Sequence, residues 1–164
     1  MRRLLALLLL AALAPSAPNA HADQSTGTSV VVDWPGNGAA ITSPVTVLGW
    51  AVSGEGTRGT GVDAVSAYLD GPADVGTPLG RAAYGQARPD VALARGDGRY
   101  GPSGWALHAE LPPGARTLFV YAHLADRPAD EGWVGPWQIA LQIDGGPSVA
   151  GPTPREGPAT PPNT

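Results

Sequence analysis

The sequence predicts an all-β domain in which two antiparallel sheets pack face to face. Between residues 49 and 122, short apolar runs alternate with turns rich in glycine, proline and aspartate, a pattern typical of such domains. In residues 105–111 and 137–143, bulky apolar side chains occupy every second position, which indicates strands with one buried face. No long stretch carries the 3.6-residue apolar period of a helix.

Each predicted strand is bounded by turn signals. The first ends at Pro35-Gly36, where proline removes a backbone donor and glycine permits a turn. The third ends at Asp70-Gly71, and Pro113-Gly114 forms a corner before the sixth. About seven strands are predicted, at residues 30–34, 45–52, 62–69, 79–84, 105–111, 117–124 and 137–143.

Such strands must bury their apolar faces against one another, since none is stable alone. Two stacked sheets bury both inner faces at once. The expected core contains the large apolar residues Trp50, Trp105, Leu107, Val120, Ile139 and Leu141, with Val65 and Leu118.

The segment 85–104 has no strand pattern, and irregular segments of this length are often functional. Within it, Arg88 and Asp90 flank Pro89. They are candidate binding residues. The alternative, favoured here, is structural: both side chains would hydrogen-bond backbone groups and hold the loop in place.

His108, Glu110 and His123 are weak candidates for metal ligands. His108 and Glu110 are two residues apart, so they share one strand face. Zinc accepts two imidazoles and a carboxylate. The alternative is that all three are ordinary polar positions on outer faces, and the two histidines could lie in different sheets. No metal or other cofactor is expected, and no catalytic residue is assigned.

Trp133 is the main candidate for an aromatic sugar-binding surface, together with Trp137 and Trp34. Trp133 follows Asp130-Glu131-Gly132 and is expected to be more exposed than Trp137, which shares the apolar face of the last strand. The alternative is that Trp133 covers one end of the sandwich.

The two ends of the chain are expected to lie outside the sandwich. Residues 1–22 combine two arginines, an apolar run and a small-residue cleavage site, which is typical of a secretory signal peptide. Residues 23–28 are expected to be a short linker, residues 29–144 the domain, and residues 145–164 a disordered tail rich in proline, glycine and threonine.

The composition limits the partners. The formal net charge is −4 and the chain has no cysteine, so disulfides are excluded. Without a basic patch, nucleic acid is not an expected partner. No membrane span is expected in the mature chain, because the tail carries no second hydrophobic run, and the apolar run of the signal is itself too short to cross a bilayer.

The order of several short motifs is similar to that of a known family. Gly49-Trp50-Ala51, then residues 61–71, then Arg88-Pro89-Asp90-Val91 and Ser103-Gly104-Trp105 resemble the bacterial secreted Ig-like (fibronectin-III-like) modules of cell-surface and cell-wall-associated proteins. The resemblance runs from about residue 33 to 143. It implies an Ig-like two-sheet antiparallel β-sandwich that is not an enzyme.

The function expected from these observations is that of a secreted or periplasmic, non-catalytic domain that binds a cell-surface or extracellular partner, either a protein or an envelope glycan. One alternative is a carbohydrate-binding accessory module that uses an exposed tryptophan. A second is a metal-dependent hydrolase built on His108, Glu110 and His123.

Overall fold

The computed structural model describes residues 27–145. The predicted signal peptide, residues 23–26 of the predicted linker and the tail beyond Gly145 therefore lie outside the described residues. The described part contains nine strands, one short α-helix and one 3-10 helix: β1 (Thr28–Trp34), β2 (Ala39–Thr42), β3 (Val45–Ser53), β4 (Val62–Leu69), β5 (Thr77–Arg81), β6 (Ala83–Gln86), α1 (Pro89–Arg95), the 3-10 helix (Gly98–Tyr100), β7 (Gly104–Ala109), β8 (Gly114–Leu124) and β9 (Trp133–Asp144).

The strands form two layers, so the predicted all-β sandwich is confirmed. One sheet has four strands in the order β1-β3-β7-β6, and the other has five in the order β2-β9-β8-β4-β5. The pairs are antiparallel except β2 and β9, which run parallel. Nine strands replace the expected seven because one short strand was missed and another predicted strand is divided.

The divided strand is the predicted 79–84 segment. Its first part is β5, at the edge of the five-stranded sheet, and its second part is β6, at the edge of the four-stranded sheet. Ala82 lies between them and donates its N–H to the Val65 carbonyl at 2.9 Å. The chain therefore changes layer within a single residue.

The core lies between the two sheets and contains Trp105, Leu107, Val120, Ile139 and Leu141, all less than 10% exposed. Trp50 does not lie there, contrary to expectation. Side chains alternate along β3, so Val47, Gly49 and Ala51 face inward while Leu48 and Trp50 face outward.

Position 49 has no room for a side chain, because the Trp105 ring and the Val31 carbonyl lie against Gly49. A Cβ atom at Gly49 would stand 2.6 Å from Cζ2 of Trp105 and 2.1 Å from the Val31 carbonyl oxygen. Both distances are shorter than van der Waals contact allows. The large residue of this part of the core is therefore supplied by β7, the strand paired with β3 in the same sheet.

Residues 85–104 are more regular than expected. Helix α1 begins at Pro89, which suits a first helical turn, and ends at Gly96 in the left-handed region, with φ 66°. With the 3-10 helix it forms a helical segment, residues 89–100. Val91 and Tyr100 of this segment cover Val52 on the outer face of the four-stranded sheet.

No helix within residues 27–145 is both long and apolar enough to cross a membrane.

Candidate functional site

Arg88 and Asp90 fasten the helical segment to the four-stranded sheet. Arg88 donates through Nε and Nη2 to the two carboxylate oxygens of Asp90, at 2.9 and 2.7 Å. Its Nη1 reaches Oδ2 of Asp33 on β1, at 2.5 Å. The hydrogen bonds from Arg88 lower the pKa of Asp90 to about 2. The side-chain partners of Arg88 are thus carboxylates, whereas backbone groups were expected.

His108, Glu110 and His123 do not form one site. His108 is exposed on β7 of the four-stranded sheet, with Nδ1 3.2 Å from Oγ1 of Thr46. Glu110 follows β7 and is exposed. His123 lies on β8 of the other sheet and is only 4% exposed. Between Gly27 and Gly145, no three His, Cys, Asp or Glu side chains are grouped so that they could hold a metal ion.

His123 is held at both ring nitrogens. Nδ1 is 2.6 Å from Oδ1 of Asp63, and Nε2 is 2.9 Å from the Pro128 carbonyl oxygen. Burial favours the neutral ring, but the bonds to Pro128 and Asp63 together outweigh it and raise the pKa of His123. Protonated His123 donates to both oxygens, which leaves neither nitrogen for a metal or for proton abstraction.

Trp133 is partly buried and tightly surrounded. Its Nε1 donates to the Ala129 carbonyl at 3.2 Å. The His123 ring lies 5.1 Å from its ring, and the Arg81 guanidinium lies 5.5 Å from its centre. Trp137 faces the core and is 6% exposed. The structure therefore does not bring Trp133 and Trp137 together as an open platform.

An open apolar surface lies on the outer face of the four-stranded sheet. The helical segment covers one end of this face, at Val52 and, in part, Trp50. At the other end, Val31, Leu48 and Trp34 are 36%, 39% and 52% exposed. Trp34 and Leu48 are cross-strand neighbours in the β1–β3 register. These three residues are called the Trp34 surface below.

A cleft of about 420 Å³ adjoins Trp34, between β2, the start of β3 and the end of β9. It is called the Trp34 cleft below. Its character is mixed, since exposed Pro44 adds apolar surface while Thr42, Thr46 and Asp144 contribute two hydroxyls and a carboxylate. Trp34 thus joins an apolar surface to a partly polar cleft.

Trp34 is the residue of this site that sequence reasoning does not single out. It was considered only as a companion of Trp133 and Trp137, at the end of a strand. One signal was present: Pro35-Gly36 follows immediately, and side chains at strand ends next to such turns are often exposed.

Comparisons with known proteins add little to this picture. No protein-family model matches the chain, and no curated protein matches it. Among solved structures, the chain is similar to CopC from Methylosinus trichosporium OB3b, with 16% identity and a TM-score of 0.40. The likeness covers 71% of this chain and 93% of that one. No residue role follows from a likeness of this size.

Proposed function

We propose that this chain is a secreted or periplasmic, non-catalytic Ig-like module that binds a cell-surface or extracellular protein through the Trp34 surface. The observation that carries the proposal is the exposure, side by side, of Trp34 and two aliphatic residues on the paired strands β1 and β3. Contiguous exposed apolar patches of this kind mark interaction sites. Tryptophan is also enriched among residues that dominate binding energy.

The form of the surface supports a protein partner. Leu48 and Val31 sit on paired strands, so little entropy is lost when a partner covers them. The surface is bordered by polar groups, including Thr46 and His108 on one side and the Arg88–Asp33 pair on the other. An apolar centre with a polar rim is the usual arrangement of a protein interface.

The chemistry of the described residues supports a non-catalytic role. Ser103 is fully buried, and its hydroxyl has no hydrogen-bond partner among the described residues. It is therefore a poor nucleophile for any external substrate. His123, the only buried histidine between residues 27 and 145, has both nitrogens engaged.

One observation favours a second candidate, a carbohydrate-binding module. In the Trp34 cleft, an exposed indole stands beside hydroxyls and the carboxylate of Asp144. A sugar ring could stack on Trp34 while its own hydroxyls bind Thr42 and Asp144. This differs from the predicted sugar site, because Trp34 takes the place of Trp133.

The test is binding of the mature chain to envelope protein fractions and, separately, to envelope polysaccharides. Trp34→Ala and Leu48→Ser should each weaken binding to a protein at least tenfold. Leu93→Ser is the matched control, because Leu93 is 84% exposed on α1 and outside the Trp34 surface.

The pattern of losses separates the candidates. A sugar ligand would be lost with Trp34→Ala but kept with Leu48→Ser. If only Trp133→Ala weakens binding, the ligand site lies at Trp133, as the sequence predicts. Equal binding by all four variants and the unchanged chain would contradict any role for the Trp34 surface.

A further inference from the structure

The outer face of the five-stranded sheet carries a group of aromatic side chains. Leu118 and Val120 of β8 point into the core, so the residues that alternate with them point to the outer face. This alternation and the strand pairing place four aromatic residues on that face, all of them partly exposed: Tyr68, Phe119, Tyr121 and Trp133. The solvent-facing side of an antiparallel sheet is ordinarily polar, so the group needs an explanation.

Three of these rings form a continuous group. Tyr68 and Phe119 lie directly opposite each other on β4 and β8, where paired side chains are about 5 Å apart. The Tyr121 ring meets the Tyr68 ring edge-on, with centroids 5.7 Å apart and planes at 88°. The Tyr121 hydroxyl accepts a hydrogen bond from the Ala73 N–H at 3.3 Å. Because the rings are already held in place, little entropy is lost when a ligand covers them.

The polar groups beside these rings are uncharged. Gln138 of β9 lies opposite Phe119 and is exposed. Its amide both donates and accepts hydrogen bonds, as does the Tyr68 hydroxyl. Ser66 is the residue opposite Tyr121, so in the described strands no charged residue is paired with Phe119 or Tyr121. Tyr68, Phe119, Tyr121 and Gln138 are called the aromatic face below.

We propose that the aromatic face binds an uncharged polysaccharide. A sugar ring has an apolar side of C–H groups and a rim of hydroxyls. Stacked on Phe119, its C–H groups meet the negative face of the aromatic ring, and its hydroxyls lie beside the Gln138 amide, which can bind them as donor or acceptor.

The composition of the aromatic face favours a glycan over a protein. On the Trp34 surface the neighbours of the indole are the aliphatic Leu48 and Val31, which suit the apolar side chains of a protein partner. On the aromatic face the neighbours of the rings are an amide and hydroxyls. A charged polymer would find no opposite charge among the residues paired with Phe119.

This inference goes beyond the proposed function, because the two surfaces lie on different sheets. The Trp34 surface belongs to the four-stranded sheet, and the aromatic face belongs to the five-stranded sheet. Both point away from the core between the sheets, so a ligand on one does not block the other. The module can therefore hold a protein and a polysaccharide at the same time.

The experiment is calorimetric titration of the full mature chain with three uncharged probes, cellohexaose, maltohexaose and mannohexaose, and with hexagalacturonate as a charged counterpart. At least one uncharged probe should bind at millimolar concentration or below, with an affinity that high salt does not change. Phe119→Ala should weaken this binding about tenfold, and Gln138→Ala about fivefold. Gln142→Ala is the matched control, because Gln142 lies on the same strand face but opposite Ala115 rather than a ring.

The urea midpoint of each variant shows first that it is folded. Gln138→Ala changes only an exposed side chain, so it keeps the test valid if Phe119→Ala does not fold. Binding of none of the uncharged probes, or of hexagalacturonate alone, would overturn the proposal. Equal weakening by Gln138→Ala and Gln142→Ala would also overturn it.

The proposed function is tested separately by the same set of proteins. Trp34→Ala should leave saccharide binding to the aromatic face unchanged. If saccharide binding is lost with Trp34→Ala but kept with Phe119→Ala and Gln138→Ala, the sugar lies in the Trp34 cleft and the aromatic face is the wrong site. If Trp34→Ala weakens protein binding while no saccharide binds, the proposed function stands and only the aromatic face fails.

Discussion

Replacing Trp105 by alanine is expected to lower the free energy of unfolding by about 3 kcal/mol. Trp105 is 1% exposed and lies between the sheets, against Gly49. Removing a buried tryptophan costs roughly 3–5 kcal/mol through lost burial and the cavity that remains. Its indole N–H is buried without an acceptor within the described range, so losing that donor offsets part of the cost.

The measurement is equilibrium unfolding in urea, followed by far-ultraviolet dichroism. Domains of this size are typically stable by about 5–15 kcal/mol, so the variant should still fold while its midpoint falls clearly. In a thermal scan, the same loss corresponds to a decrease of about 10–15 °C. The slope of the urea dependence should not change, because the surface exposed on unfolding stays the same.

Trp34→Ala is the control, since it removes the same side chain from a position that is 52% exposed. Its expected cost is below about 1 kcal/mol. If Trp34→Ala and Trp105→Ala destabilise the domain equally, the assignment of one indole to the core and the other to a binding surface is wrong. A fully folded Trp34→Ala protein is also what the binding experiments require.

Two further outcomes concern buried polar groups. Tyr84→Phe should cost about 1–3 kcal/mol in urea unfolding, because the Tyr84 hydroxyl bonds the Ala51 carbonyl at 2.7 Å and lies 2.6 Å from Oγ1 of Thr60. Burial raises the pKa of Tyr84 to about 12, so the absorbance change at 295 nm that Tyr84→Phe removes should be the part that appears near pH 12. The folded protein raises the pKa of His123 above its ordinary value of 6.5. The contribution of His123 to the free energy of unfolding is therefore complete below pH 6.5 and is lost as pH rises through the higher pKa of the folded state. Thermal midpoints should show this decline in the natural chain and in His108→Gln but not in His123→Gln, and a decline that persists in His123→Gln would refute the assignment.

Strands with one buried face could be predicted from the sequence, and strands without that signal could not. In β9, Trp137, Ile139, Leu141 and Ile143 face the core in strict alternation, so hydrophobic pattern and structure coincide. β2 contributes only Ile41 as a buried residue, and its three small or polar neighbours carry no periodic signal. The boundary between β5 and β6 depends on which sheet each half pairs with, and that is a long-range property.

The outward position of Trp50 has a similar cause. A strand pattern shows which residues share a face, but not which face meets the other sheet when both contain apolar residues. On β3, Val47 and Ala51 share one face while Leu48 and Trp50 share the other, and the large size of Trp50 suggested the wrong choice. A large apolar residue such as Trp50 can face outward here because the helical segment partly covers that end of the outer face.

The candidate site was harder to predict than the fold, because its residues meet only through contacts between distant segments of the chain. Arg88 and Asp90 were recognised as a loop-fastening pair, but Asp33, their third member, is 55 residues away from Arg88 in sequence. The Trp34 cleft depends on β2 lying beside β9, a parallel pairing between distant segments. Neither neighbourhood has a local sequence signal.

The change of layer at Ala82 has a consequence for how the molecule opens. Two sheets joined only by long loops can separate while each keeps its own hydrogen bonds between strands. Here β5 and β6 are joined by one residue yet belong to different sheets. Separating the sheets would therefore pull at least one of these edge strands away from its neighbours. We therefore expect the slowest-exchanging amides of the two sheets to share one opening free energy, as in a single cooperative unit.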